Sequence, residues 1–506
     1  MSSPSTLQNS FDKGMRRDVP RHMLPVNAAW NLVDYVLCSV GTQERGGYTY
    51  ASPDLSTVKA TASYVVNGIV APFAAADQHL TIDEDGEVYK VTSPTVATDI
   101  GVVSSASLSF HRERVIFPQT GGTGPPSVYD GTSLAGLGGS PPYGKYATVF
   151  NDWSILASSA ALPNRIWFSG AGDTASWDTA NAWIDADHKL CGIAAVSGAI
   201  LGFTDHGVER WRGSIAPPGS DFTHNVLTAG APAYTRSIIQ NGSNVFWASQ
   251  DGIFMTDGAT PYDLSFDCGI KSYWQSLVAS GASWNVSAGI LDDRYLVVSI
   301  MDGATFKDCV VIDVPLRRCW RWTNIDAQSF WSSGSKLYFG SRGSARVGEL
   351  SSTFLKSSTV QTDGDGTTVA SVIETRYYGG PSGLKTWRAL YPTYDLQDSA
   401  SNAPTVQFSY VLSPEATNYT NIGSAQARTN AAIETFDSLN VLWYATAYTW
   451  DGTWLENSGE RKRTRFALNK KSEGIGFKLT RANAASNFIL YGLDADVYGM
   501  ERSRTS

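Results

Sequence analysis

One pattern returns along this chain about every 40 residues: a short apolar and aromatic strand, a tight Asp-Gly or Gly-rich turn, and another strand. It is found at Glu87-Val88-Tyr89-Lys90-Val91, Ser127-Val128-Tyr129-Asp130-Gly131 and Arg165-Ile166-Trp167-Phe168-Ser169-Gly170. It returns at Val208-Glu209-Arg210-Trp211, Ile253-Phe254-Met255-Thr256-Asp257-Gly258, Val310-Val311-Ile312-Asp313 and Arg346-Val347-Gly348-Glu349-Leu350. Successive gaps are about 40, 38, 43, 45, 57 and 36 residues. A strand-only period of this length predicts the blades of a β-propeller, each a small sheet that buries its faces only by stacking on its neighbours. Such a fold is a platform, so function must come from what decorates it.

Alternation along Arg294-Tyr295-Leu296-Val297-Val298-Ser299-Ile300 and Lys336-Leu337-Tyr338-Phe339-Gly340 reads as half-buried strand. Asp-Gly pairs at Asp85-Gly86, Asp130-Gly131, Asp251-Gly252, Asp257-Gly258 and Asp302-Gly303 predict type I′ hairpins, whose positive φ angles match strand twist. One short helix is expected over Ile270–Val278. The rhythm runs from about residue 43 to 358 and fits six or seven blades. Before it, residues 1–42 read as a docking arm carrying Lys13, Arg16, Arg17 and Arg21, without sustained periodicity. After it, residues 359–366 form a turn-rich linker ending in Asp363-Gly364-Asp365-Gly366. Residues 367–506 hold non-periodic strands, including Val369–Tyr378, Trp387–Leu396, Thr405–Leu412 and Val441–Trp450, and read as a β-sandwich. The expected fold class is therefore all-β: a six- or seven-bladed propeller followed by a C-terminal sandwich.

Charged residues are only 17% of the chain and aromatic residues 12%, a composition that folds rather than staying disordered. The net charge of -8 is unevenly placed. Residues 372–506 carry 14 Lys and Arg against 13 Asp and Glu, whereas residues 1–371 carry 25 against 34. An acidic propeller is poorly suited to gripping DNA, which needs phosphate neutralisation, but can serve as a repelling wall beside it. Non-specific contact with DNA is the most that is expected. The five cysteines, Cys38, Cys191, Cys268, Cys309 and Cys319, are too scattered for a disulfide framework, although Cys309 and Cys319 could face each other across a hairpin. No stretch approaches the ~20 apolar residues of a membrane helix, and the start lacks a signal peptide pattern. No membrane insertion is expected.

The search for chemistry returns little. Thr204-Asp205-His206-Gly207-Val208-Glu209-Arg210-Trp211 approaches the sialidase turn Ser-x-Asp-x-Gly-x-Thr-Trp, but its Asp and Gly each come one position early; Ser249-Gln250-Asp251-Gly252 fails at the Gly. Glycoside hydrolysis needs two opposed carboxylates, and spacing does not single out Asp205 with Glu209 or Asp173 with Asp178. His188, His206 and His224 read as structural residues of consecutive repeats, without a nucleophile in a recognisable turn. Gly121-Gly122-Thr123-Gly124 precedes Pro125-Pro126 and no helix, so it is a turn and not a phosphate loop. The acidic turns Asp83–Glu87 and Asp363–Gly366 lack the bidentate Glu of a full calcium loop. The expectation is no enzyme, no catalytic residue, no metal and no cofactor. A basic strand, Arg461-Lys462-Arg463-Thr464-Arg465, would place Arg461, Arg463 and Arg465 on one face, as an interface or as a charged edge that resists aggregation.

Three segments taken together carry a resemblance. They are Gly14-Met15-Arg16-Arg17-Asp18-Val19-Pro20 running on to Arg45-Gly46-Gly47; Pro163–Asp173 with Ser176-Trp177 and then Phe203–Trp211; and Arg463–Leu468 through Ile475-Gly476-Phe477 to Ile489–Leu493. This arrangement resembles tail hub or nozzle proteins of short-tailed bacteriophages, including packaged-DNA stabilisation proteins. The resemblance implies a virion protein assembled in the host cytoplasm, in a homo-oligomeric ring of about six copies below the portal and adaptor, gating DNA during ejection. It implies no catalytic residue. The alternative class is a glycan-binding or glycan-cleaving propeller on a virion or cell surface. An intracellular WD-repeat scaffold would show regular Gly-His and Trp-Asp pairs, which are missing.

Overall fold

The computed structural model describes residues 5–8, 11–38, 41–105, 107–217, 220–279, 284–351, 363–367, 369–379, 385–396, 405–426, 462–463, 465–481 and 488–499. Strands dominate. Helix among the described residues is confined to Leu264–Asp267, Lys271–Ala279 and three short 3-10 turns, none long and apolar enough to cross a membrane. The chain divides into two compact units. One comprises Tyr48–Arg317 and Asn324–Ser352; the other comprises Met1–Gly47, Arg318–Thr323 and Thr353–Ser506.

The first unit is a seven-bladed β-propeller. Blade 1 is the sheet Val65–Pro72, Asp77–Asp83, Glu87–Ser93, Val96–Val102; blade 2 is Ser109–His111, Arg114–Phe117, Ser127–Tyr129, Leu134–Gly136. Blade 3 is Tyr146–Phe150, Trp153–Ala157, Arg165–Gly170 with Asp173–Trp177 and Trp183–Asp185; blade 4 is Leu190–Val196, Ala199–Thr204, Gly207–Arg212, Thr223–Ala229. Blade 5 is Ile239–Asn241, Asn244–Ser249, Gly252–Thr256, Tyr262–Asp263; blade 6 contributes Trp284–Leu291, Tyr295–Asp302 and Thr305–Asp313. Blade 7 is Ala327–Ser333, Lys336–Ser341, Val347–Ser351 and, from the start of the propeller, Thr49–Tyr50. That last pairing, Gly348 with Tyr50 and Glu349 with Thr49, closes the ring by joining its two ends in one sheet.

All seven landmarks of the repeat fall on the third strands of the seven blades. The long 57-residue gap has a cause: the helices Leu264–Asp267 and Lys271–Ala279 are inserted between blades 5 and 6. Asp263 caps the first through Phe266 N–H at 2.9 Å, and Trp274 of the second is fully buried, donating its indole N–H to Ser249 O at 2.8 Å. The second of these is the helix expected near Ile270–Val278.

Blades stack through apolar seams. Val66, Leu80 and Ile82 of blade 1 pack with Val115, Phe117 and Tyr129 of blade 2, and Ile155 and Phe168 of blade 3 pack with Ile193, Ile200 and Trp211 of blade 4. The closing seam joins Val65 and Tyr89 of blade 1 to Trp331 and Val347 of blade 7. First strands meet first strands around the axis, which requires small residues there. A Cβ on Gly68 would lie 2.5 Å from the Trp331 ring.

The hairpin expectation is corrected in part. Gly86, Gly131, Gly258 and Gly303 take positive φ, but Gly252 does not, because it already belongs to the third strand of blade 5, paired with Ser249. Two-residue type I′ hairpins are instead made by Arg112-Glu113 and Asn151-Asp152, each pair with both φ positive. Asp152 can hold such a turn because it is also a receptor: it accepts from Arg112 Nε at 2.8 Å and lies 3.0 Å from His111 Nε2.

The second unit is a two-sheet sandwich. One sheet runs Tyr35–Cys38, Gly41–Glu44, Phe488–Gly499, Lys385–Leu396 and Lys462–Arg463, with Ser5–Gln8 and Phe466–Ser472 attached. The other contains Ala29–Val33, Ser371–Gly379, Gly474–Arg481, Thr405–Val411 and Thr420–Gln426, with Arg318–Trp322 parallel to Ala29–Val33. Phe408 of the second sheet meets Phe466 and Tyr394 of the first, at 4.8 and 6.4 Å between ring centroids. The expected strand Val441–Trp450 lies outside the described residues.

Two expectations about organisation change here. The described residues of the expected arm, 1–42, are woven into the sandwich: Ala29–Val33 pairs with Ser371–Gly379, and Thr42 pairs with Leu490. The aperiodic leader is held by partners distant in sequence, which periodicity cannot register. The linker's Asp363 is likewise an anchor: its carboxylate is buried against Arg45 at 2.8 Å, while only the turn Asp365–Thr367 is exposed. Cys309 and Cys319 form no disulfide, and Cys319 Sγ donates to Met15 O at 3.2 Å.

Candidate functional site

The starts of the first strands of blades 3 to 6, with the segments that lead into them, gather at one mouth of the propeller axis around a cavity of about 490 Å³. Lys145 and Tyr146 come from blade 3, Lys189 and Cys191 from blade 4, Tyr234, Thr235 and Arg236 from the approach to blade 5, and Trp284 and Asn285 from blade 6. The lining contains three cations and no carboxylate, in a propeller whose overall balance is acidic. Arg236 donates to neutral acceptors, Asn285 Oδ1 at 3.3 Å and Gln328 O at 3.4 Å. Burial, and then the positive charge of Arg342, pull its guanidinium below the ordinary value. Arg342 is itself held over the Tyr64 ring at 3.5 Å. The indole N–H of Trp284 is buried without a hydrogen-bond acceptor among the described residues.

This arrangement can receive an anion. Under-neutralised guanidinium and ammonium groups with an unused N–H donor suit a carboxylate or phosphate. It is poorly equipped for nucleophilic chemistry: burial and then the nearby Asp205 carboxylate push the Cys191 thiol up, which keeps it protonated and a weak nucleophile. Burial also raises Tyr146 and Tyr234. Sequence reasoning missed this site because its residues lie on four repeats and share no motif.

The residues singled out by sequence are placed as follows. Lys13 is exposed. Arg17 lies over Trp30 at 4.3 Å, and the backbone N–H of Arg16 bonds Ala29 O at 3.0 Å. Arg21 is buried, donating from Nε to Thr375 O at 2.7 Å, with its guanidinium 5.4 Å from the Tyr419 ring. As a docking cation Arg21 is thus corrected: it docks within its own unit, because a buried guanidinium must find acceptors and the sandwich backbone supplies them. Lys462 and Arg463 pair with Tyr394 and Thr393, Arg465 is exposed just before the next strand, and Arg461 lies outside the described residues.

The carboxylate candidates do not assemble as an opposed pair. Asp173 and Asp178 are exposed and accept backbone N–H groups of their own turns, from Ala175 at 2.8 Å and Asn181 at 3.1 Å. Asp205 bonds His206, and Glu209 is buried against His224. His188, His206 and His224 belong to one blade and its approach, not to consecutive repeats. In the acidic turn of blade 1, Asp83 accepts Glu87 N–H and Tyr89 O–H, Glu84 accepts Ser63 O–H, and Glu87 pairs with Lys59, so the carboxylates are turned toward different partners.

No family model and no curated protein matches the chain. Solved structures similar to it are β-propellers. The WD40 propeller domain of Doa1 is 12% identical with a TM-score of 0.40, covering 61% of this chain and 99% of its own. YCF48 from Cyanidioschyzon merolae is 12% identical with a TM-score of 0.38, covering 57% and 95%, and BamB from Moraxella catarrhalis is 11% identical with a TM-score of 0.36, covering 63% and 93%. These are likenesses of fold alone.

Proposed function

We propose that this chain is a structural protein of a bacteriophage tail, a hub or nozzle subunit that forms a homo-oligomeric ring of about six copies below the portal and adaptor and conducts packaged DNA. The observation that supports it best concerns the residues of the resemblance. The segments at its two sequence extremes fold onto one another: Thr42 and Gln43, just before Arg45, pair with Leu490 and Ile489, and Arg21 reaches Phe477 O at 3.5 Å. The middle segment takes in the third strand of blade 3, the end of the second strand of blade 4 and most of its third. Residues placed at strand pairings of this kind support an architectural role, as a conduit protein requires.

A duplex does not fit a 490 Å³ cavity, so the conduit of this reading lies between subunits and the propeller forms part of its wall. The basic mouth is then a receptor for an acidic group of a neighbouring tail protein. Electron microscopy of virions, averaged about the portal axis, tests the proposal. Density for this chain as a closed ring around the DNA is expected; peripheral trimers on spikes or fibres would replace it with receptor binding.

A further inference from the structure

Blade 4 carries a second cluster, none of whose members lines the cationic mouth. Asp187 precedes its first strand, Glu209 lies on its third and His224 on its fourth, and one donor atom of each lies within 4.8 Å of the others. We propose that these three side chains form a binding site for a divalent transition-metal ion such as Zn²⁺.

The central residue is Glu209, only 2% exposed. Its Oε2 accepts the Asp187 backbone N–H at 3.0 Å and lies 3.0 Å from His224 Nε2, but its Oε1 has no hydrogen-bond partner among the described residues. A buried carboxylate with an unused oxygen is costly unless a cation compensates it. The arginines of the same strand are committed elsewhere, Arg210 to Asn225 and Gly258 and Arg212 to Gly258. Two donors 3.0 Å apart match the spacing of neighbouring ligands on one ion with bonds of about 2.0 to 2.2 Å. The imidazole is oriented before any ion arrives, stacked on Trp211 at 5.0 Å and 19°. A mixed imidazole and carboxylate set favours zinc-like ions over calcium or magnesium. Three protein ligands leave a coordination position for water or for a group from another chain, and the ion would tie the segment before the first strand to the third and fourth strands of the blade.

A neighbouring cluster, His188, Asp205 and His206, is the competitor. Its imidazoles stack at 4.1 Å, and Asp205 Oδ1 lies 2.9 Å from His206 Nδ1, but all three residues are exposed and it has no buried unsatisfied oxygen.

The test is calorimetric titration of the chelator-stripped full chain with ZnCl₂ alone, with thermal unfolding followed in parallel. Saturable binding at about 10 μM or tighter is expected, with a rise in melting temperature. His224→Ala and Glu209→Gln should each weaken that event about tenfold or more and remove the thermal shift. The double variant His188→Ala with His206→Ala should retain both. His224 is exposed, so its variant folds even where Glu209→Gln does not. Absence of saturable binding by the unmodified chain would leave only a buried Glu–His pair and overturn the proposal. So would binding that survives His224→Ala, or that is lost with the His188/His206 pair.

Discussion

Arg45 commits all five of its N–H donors inside the sandwich unit. Nε meets Asp34 at 2.7 Å, one terminal nitrogen meets Asp363 at 2.8 Å and Gly46 O at 3.0 Å, and the other meets Asp363 at 3.0 Å and Thr323 O at 2.9 Å. Burial opposes the charge, but the carboxylates of Asp363 and Asp34 outweigh it and raise the guanidinium above its ordinary value. Asp34 in turn accepts the N–H and O–H of Thr323, so three distant segments of the chain meet at one side chain. Arg45→Ala should cost about 3 to 5 kcal/mol, because it strands two buried carboxylates. Arg45→Lys should recover less than half of that, since an ammonium cannot reproduce the fork that grips Asp363 at two points. Urea unfolding of the full chain measures both, and a loss below 1 kcal/mol for Arg45→Ala would show that the cluster contributes nothing net. Sequence drew attention to Arg45 only through a resemblance; its partners are 11 and 318 residues away, and no local pattern names them.

Among the elements, the seam between blades 7 and 1 decides whether the ring is closed, and it holds a titrating group. His79, on the second strand of blade 1, accepts the Trp331 indole N–H at 3.0 Å and packs on Tyr338 at 4.6 Å. Burial, assisted by Lys336, lowers its pKa from 6.5 to about 4. Between those values the unfolded chain binds a proton that the folded chain refuses. Stability from this residue is therefore complete above the unfolded value and is lost as pH falls toward the folded one, by up to about 3 kcal/mol. His79→Gln keeps an acceptor for Trp331 and cannot titrate, so the fall in denaturation midpoint between pH 7 and pH 4.5 should be shallower than in the unmodified chain. Equal slopes would remove His79 as the cause. Blades were legible because each third strand holds apolar and aromatic residues in a short segment that can be read in isolation. The hairpin Arg112-Glu113 was not, because neither residue type favours positive φ and the turn is held by the cross-blade contact of Arg112 and His111 with Asp152, whereas Asn151-Asp152 has the turn preference of its own residues as well.

For the whole molecule, interleaving of the two sequence ends changes what a truncation does. Deleting residues 1–25 removes Ser5–Gln8 from one sandwich sheet and Arg21 from the backbone of the other. The propeller keeps Thr49–Tyr50 and with it the closed blade 7. Hydrogen exchange should accelerate across Ser371–Gly379 and Gly474–Arg481 and stay unchanged across Lys336–Ser341; uniform protection in the truncated chain would mean that the leader is dispensable to the sandwich. Sequence by itself determined the all-β class, the blade period and the break between a periodic and an aperiodic half, because these follow from side-chain alternation within a few neighbouring residues. Only the tertiary structure decided the blade number, the role of residues 1–47, and the two clusters at the propeller surface. Ring closure pairs residue 50 with residue 348, and the cationic mouth and the Asp187, Glu209 and His224 cluster each collect side chains from separate strands. Juxtapositions of that kind cost chain entropy that many weak seams together offset, and no single segment encodes them.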